Sequence, residues 1–192
     1  LLLEGTTISR DNKPFKTEPE IENELVDVFK QQGKINLIYT SGQNIDRLTS
    51  IYRACKRTGK IFVADVYVAK VLKELSEYAG IPNPSENFEN LKVMFPYFTS
   101  RRLKNEGNEK VLYQFKKFKI TKEEISNQSE NIVMIVRPSM QKDLEKINGI
   151  EGGNFIYSMW EGYLKKSATM KFVDYLTNRK FTLHKIHTSG HA

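Results

Sequence analysis

The strongest constraint on how this chain can fold is a rhythm of short, almost wholly apolar runs separated by longer stretches with helical spacing. The runs "INLIYT" (35–40), "IFVAD" (61–65), "LKVMF" (91–95), "NIVMIV" (131–136) and "NFIYS" (154–158) are short for core helices and too uniformly apolar for strands with one wet face. They read as strands buried on both faces. Helix signals lie between them. "TEPEIENELVDVFKQQG" offers Thr17 and Glu20 as a capping box, Pro19 in the first turn and Gly33 as a stop, with Ile21, Leu25, Val28 and Phe29 on one face. From about Asn44 to Thr58, the residues Ile45, Leu48, Ile51, Tyr52 and Cys55 form one stripe that stops at Gly59. Val68, Val71, Leu72 and Leu75 form another, ahead of Gly80 and the loop "IPNPSEN". A last strand is expected from Phe181 onward, and the initial "LLL" reads as the end of a strand. Parallel neighbours need a crossover, so the pattern predicts a three-layer α/β fold, a mainly parallel sheet flanked by helices on both faces. A length of 192 residues suits a single domain, 1–192.

In sheets of this kind ligands sit where loops leave the carboxyl ends of the strands. Here those loops are "TSGQN", "DVY", "PYFTSRR", "RPSM" and "SMWEG". Ser41, Gly42 and Gln43 would present hydroxyl, backbone and amide donors at a helix start, and Arg137 a charged fork, a set suited to phosphate or sugar. Helix capping is the other role open to Ser41 and to Ser139. Asp46 and Asp65 could line the crevice, but a carboxylate at a helix start is more often stabilised by the helix dipole than catalytic. Phe98, Tyr157 and Trp160 are candidates for stacking on bases or for ordinary packing. A net charge of +7 makes a field that attracts phosphates, and the basic residues cluster in "RACKRTGK", "SRRLK" and "FKKFK". Each such cluster is more often a solvated face than a binding groove. "EGGNF" is not a GxGxxG turn, and no such fingerprint follows any expected strand, which places nicotinamide chemistry last.

No apolar run approaches the roughly 20 residues that span a bilayer, and "LLLEGTTISR" lacks the flank and length of a signal peptide. The single cysteine, Cys55, forms no internal disulfide and reads as a core-facing helix residue, so a cytoplasmic protein is expected. All three histidines fall in the last nine residues, "HKIHTSGHA". On a strand His184 and His187 point to opposite faces, and His187 and His191 would be about 13 Å apart. With no HxH or HExxH pair and no second cysteine, a complete metal site within the chain is not expected. A histidine after Ser and Gly suits acid catalysis beside an anion, and remains one reading among several.

"LLLEGTT" at the start, "IYTSGQNIDRLTSIYRACKRTGKIFVADVYVA" in the middle and "HTSGHA" at the end resemble the β-CASP segment of metallo-β-lactamase-fold hydrolases acting on nucleic acids. RNase J and the mRNA 3'-end cleavage nuclease belong to that group. The resemblance implies a Rossmann-like β-CASP lid that clamps RNA, or single-stranded DNA, over a dinuclear zinc centre. It also implies hydrolysis of RNA phosphodiesters, as in RNA processing. Glu4 matches the acidic residue called motif A, and His191 the motif B histidine that protonates the leaving oxygen. Ser189 and Gly190 would lie beside the bound phosphate. The HxHxDH zinc signature and the motif C histidine have no counterpart here, and "GQNIDR" departs from the best-known members. The resemblance therefore implies an excised insertion domain, inactive alone, whose zinc is bound by the metallo-β-lactamase domain of the same parent chain. Self-association into a homo-oligomer is left open. The alternative from the residues themselves is a stand-alone nucleic-acid or nucleotide binding module without catalysis.

Overall fold

The structure is a computed structural model that describes residues 16–31 and 33–188. In chain order it runs α1 (Glu18–Phe29), β1 (Asn36–Thr40), α2 (Ile45–Thr58), β2 (Ile61–Asp65), α3 (Val66–Leu75) and β3 (Leu91–Met94). Then follow α4 (Tyr97–Asn105), α5 (Lys110–Gln114), α6 (Lys122–Asn127), β4 (Ile132–Ile135), α7 (Gln141–Leu144), β5 (Asn154–Ser158), α8 (Ser167–Asn178) and β6 (Thr182–Lys185). The six strands form one sheet in the order β3-β2-β4-β1-β5-β6. Every pairing is parallel, so the fold is a three-layer α/β sandwich.

Register explains why the central strands are apolar throughout. Ile38 of β1 aligns with Ile135 and Ile156, and all three pack in one core with α1, α2 and α3 through Leu25, Phe29, Leu48, Ile51, Val68 and Leu72. One residue earlier, Leu37 aligns with Met134 and Phe155 in the opposite core, with Ile125, Leu144, Phe172 and Leu176. Successive side chains alternate between the two cores, so neither face of the central strands reaches water. A third, smaller cluster joins Val93 and Ala69 to Leu112 and Phe115. Phe115 of "FKKFK" is thus core, and the lysines that follow it form a 3-10 turn.

Thr17 and Glu20 form the expected capping box on α1, and Gly59 closes α2 in the left-handed conformation that only glycine adopts freely. Cys55 is fully buried on α2, as expected. Some expectations need correction. Gly33 is not the cap of α1; Lys30 is. Leu75 is 38% exposed, because it lies at the last turn of α3, past the edge of the core. The last strand is four residues long and ends at Lys185, so strand alternation does not reach His187.

His184 has a structural role at the amino-terminal half of the sheet. Asn36 and Asn154, both fully buried, sit opposite each other on β1 and β5, and Asn154 Nδ2 donates to Asn36 Oδ1 at 3.0 Å. His184 Nε2 lies 3.1 Å from Asn154 Oδ1, which makes that nitrogen the donor and completes a polar row across three strands. Each amide thereby finds a partner in a region that water does not reach.

Candidate functional site

The helix after β1 lies on one face of the sheet and the helix after its neighbour β4 on the other, as the two cores show. The chain therefore parts between β1 and β4 at their carboxyl ends, which is where an open α/β sheet leaves a crevice. The loops flanking that point carry Ser41, Gly42 and Gln43 on one side and Arg137 on the other.

These residues meet through a side chain that the sequence reading passed over, Tyr67 in the first turn of α3. Gln43 Nε2 donates to the Tyr67 hydroxyl at 2.9 Å, and the Arg137 guanidinium stands 5.6 Å from the Tyr67 ring centroid. Arg137 also forms an ion pair with Asp65, the last residue of β2. Asp65 in turn caps α3 by accepting from the Val68 N–H at 3.0 Å, so it serves as cap and counter-ion together. Gly42 has no room for a side chain: a Cβ would lie 2.9 Å from Tyr67 Cε1. The ends of β1, β2 and β4 are thus tied into one polar rim. Arg137 keeps 30% of its side chain exposed, within reach of an anion in solvent.

The capping roles fall differently from expectation. Asn44, not Ser41, is the N-cap of α2 and accepts from the Arg47 N–H at 3.0 Å, while Ser41 Oγ accepts from the Gln43 N–H at 3.3 Å. Ser139 lies inside a 3-10 turn and caps nothing.

Beside this rim, under the end of β5, is a buried ionic cluster. Arg47 is fully buried and forks onto Glu18 of α1, with Nε to Oε2 at 3.1 Å and Nη2 to Oε1 at 2.9 Å. Its Nη1 donates to the Ser158 hydroxyl, and Ser50 Oγ donates to Glu18 at 2.8 Å. Partial burial pushes the Glu18 carboxyl up, but Arg47, Ser50 and nearby His187 together hold it below its ordinary value. Arg47 is therefore committed to the protein interior and offers nothing to a phosphate. The Ile186 N–H donates to the Tyr157 carbonyl at 3.1 Å, so the chain leaves β6 beside the end of β5, at the same carboxyl edge of the sheet as the rim. Glu4, Ser189, Gly190 and His191 lie outside the described residues.

The aromatic candidates separate cleanly. Tyr157 is 1% exposed on an interior strand, and burial, reinforced by Tyr39, Tyr163 and Glu161, pushes its phenol up to about 12. It is core and takes no base. Trp160 is 47% exposed and packs edge-on against Tyr163. Phe98 is 45% exposed, and its neighbour Tyr97, which the sequence reading missed, 52%. The missed residues share a signal: Tyr67 and Tyr97 are the aromatics of "DVY" and "PYFTSRR", within loops already marked by position.

Among the described residues, no three His, Cys, Asp or Glu side chains come together in a group that could hold a metal ion. These residues do not fit a zinc centre. None of the described helices is long and apolar enough to cross a membrane. A shallow depression of about 420 Å3, lined by Lys73, Ser85, Asn87, Gln114 and Phe118, lies at the connection between α3 and β3, away from the rim.

No protein-family model matches the chain, and no curated protein matches it. Among solved structures, it is similar to a crystal structure of a protein of unknown function from Enterococcus faecalis V583, with a TM-score of 0.62 and 14% identity. That match covers 100% of this chain and 40% of the other. A likeness at this identity speaks to the fold alone, and this chain spans less than half the length of that neighbour.

Proposed function

We propose that this chain is a β-CASP-type lid domain of a metallo-β-lactamase-fold nuclease, holding RNA at the carboxyl edge of its sheet. The observation that carries this reading is a convergence. The Ser41–Gln43 loop and Arg137 meet through Tyr67 at the carboxyl edge of the sheet, and residues 186–188, which lead into Ser189, Gly190 and His191, leave β6 at that same edge. A phosphate held by Arg137 and the Ser41–Gln43 loop would lie on the same carboxyl edge of the sheet from which residues 186–188 leave β6.

In this reading the chain's own residues bind, orient and move a proton. Arg137, with Tyr67 and Asp65 fixing its plane, takes the charge of a backbone phosphate. Ser189 and Gly190 sit against the scissile group, and His191, supported by Glu4, protonates the departing oxygen. The zinc centre that the resemblance implies would be held by the parent's other domain. The setting is the cytoplasm, with RNA and the metallo-β-lactamase domain as partners.

The purified chain is expected to bind single-stranded RNA with an affinity that falls steeply with salt and to cleave none of it, with or without added zinc. Arg137→Gln should weaken binding and reduce the salt slope by about one. Zinc-dependent cleavage by the 192 residues alone would refute the lid assignment. The parent reading frame should encode HxHxDH upstream and a further histidine shortly downstream. Should it encode neither while the chain binds RNA, the same rim supports the second reading, a binding module without catalysis.

A further inference from the structure

We infer that Tyr97 and Phe98, at the start of α4, form an aromatic corner that takes one unpaired base of single-stranded RNA, with Lys142, Lys146 and Arg101 holding the adjoining backbone. The inference rests on the reading of this domain as RNA-binding, and adds a subsite outside the rim. The two rings stand edge to face, 5.5 Å apart at 72°, and both are about half exposed. Each has an ammonium over its ring, Lys146 Nζ 5.8 Å from the Tyr97 centroid and Lys142 Nζ 5.6 Å from that of Phe98, so a stacked base takes the place of one ammonium and frees it for the adjoining backbone. Rings at this angle do not accept two consecutive stacked bases. They suit one base lying flat on one ring with the other ring closing its edge.

The corner is anchored. Asp143, with a side chain 1% exposed, accepts from the Tyr97 N–H at 3.1 and 3.2 Å and from Lys122 Nζ at 2.6 Å. That buried carboxylate joins α7 to the amino end of α4, so the rings and lysines are set by one connection. Because Asp143 is paired with Lys122, it leaves Lys142 and Lys146 uncompensated; among the described residues these two and Arg101 have no ion-pair partner. Exposed aromatics interleaved with unpaired cations favour a polyanion that offers flat rings. A protein interface would instead deplete lysine around its aromatic core. The position is right too: α4 follows the carboxyl end of β3 and α7 that of β4, the edge that carries Arg137.

The test compares a labelled oligouridylate of about twelve nucleotides with a strand of equal length lacking bases. Tyr97→Ala with Phe98→Ala should weaken binding of the oligouridylate about tenfold while leaving the abasic strand and the salt slope unchanged. Lys142→Gln with Lys146→Gln should weaken both strands and lower the slope by about one to two. An aromatic double variant that binds the oligouridylate like the wild type, or that loses equally on both strands, overturns the corner and leaves the RNA-binding reading standing. A double variant that changes only the sedimentation of the chain makes this a self-association face and overturns the proposal as well. Absence of any RNA binding by the wild-type chain overturns both readings.

Discussion

Gly153 is a residue whose role comes entirely from partners far away in sequence. A Cβ there would lie 2.5 Å from the Ile35 carbonyl oxygen, 2.7 Å from Ile35 Cγ2 and 2.8 Å from the Phe181 ring. The carbonyl has little room to yield, because it accepts from the Asn154 N–H at 2.8 Å as part of the β1–β5 pairing. Gly153→Ala should therefore lower stability by about 2 kcal/mol or more, read as a shifted urea midpoint at constant m-value. A cost within about 0.5 kcal/mol would mean that the backbone relaxes freely there. In the sequence "EGGNF" could be rejected as a dinucleotide turn, but nothing local announces a close approach to Ile35. The rim has the same history. Ser41, Gly42, Gln43 and Arg137 were legible because the pattern puts strand ends there. Tyr67, which joins them, and Glu18, which occupies Arg47, were not, because their partners are 24 and 29 residues away.

At the scale of elements, the α1–α2 pair is pinned by Glu18 and Arg47, and the two ends of that bond differ in burial. Arg47 is wholly inside, whereas Glu18 keeps 28% of its side chain exposed. Removing the carboxylate strands a charge with no water to turn to, while removing the guanidinium lets Glu18 regain solvent. Glu18→Gln should therefore cost about 3 kcal/mol and Arg47→Met about 1 to 2 kcal/mol, compared by denaturant titration. Equal losses would show that the cluster is better hydrated than its geometry implies. The strands themselves were readable, and β2 and β5 match their apolar runs residue for residue, since burial on both faces leaves no polar interruption. Strand order was not readable, because it depends on which helices share a face. Neither was the four-residue length of α7 or the early end of β6, which at the sheet edge has only β5 to pair with.

For the whole molecule, the two polar systems lose their stabilisation in the same sense, as pH falls, but in separate pH windows. Partial burial, aided by the charge of Lys34, lowers the His184 imidazole from its ordinary value of 6.5. The unfolded chain then takes up a proton before the folded one does. Stability from this group is complete above the ordinary value and is lost as pH falls below it, until the folded imidazole also protonates. Glu18 is held below its ordinary value of 4.5, so its contribution persists through that first window and disappears only as pH falls through the lowered value. The urea midpoint should therefore decline in two stages, the first below about pH 6.5 and the second below about pH 4.5. His184→Gln keeps an amide within reach of Asn154 but removes the titration, so it should flatten the first stage and leave the second intact. A first stage of undiminished size in that variant would assign it to another group and remove His184 from the polar row as its source.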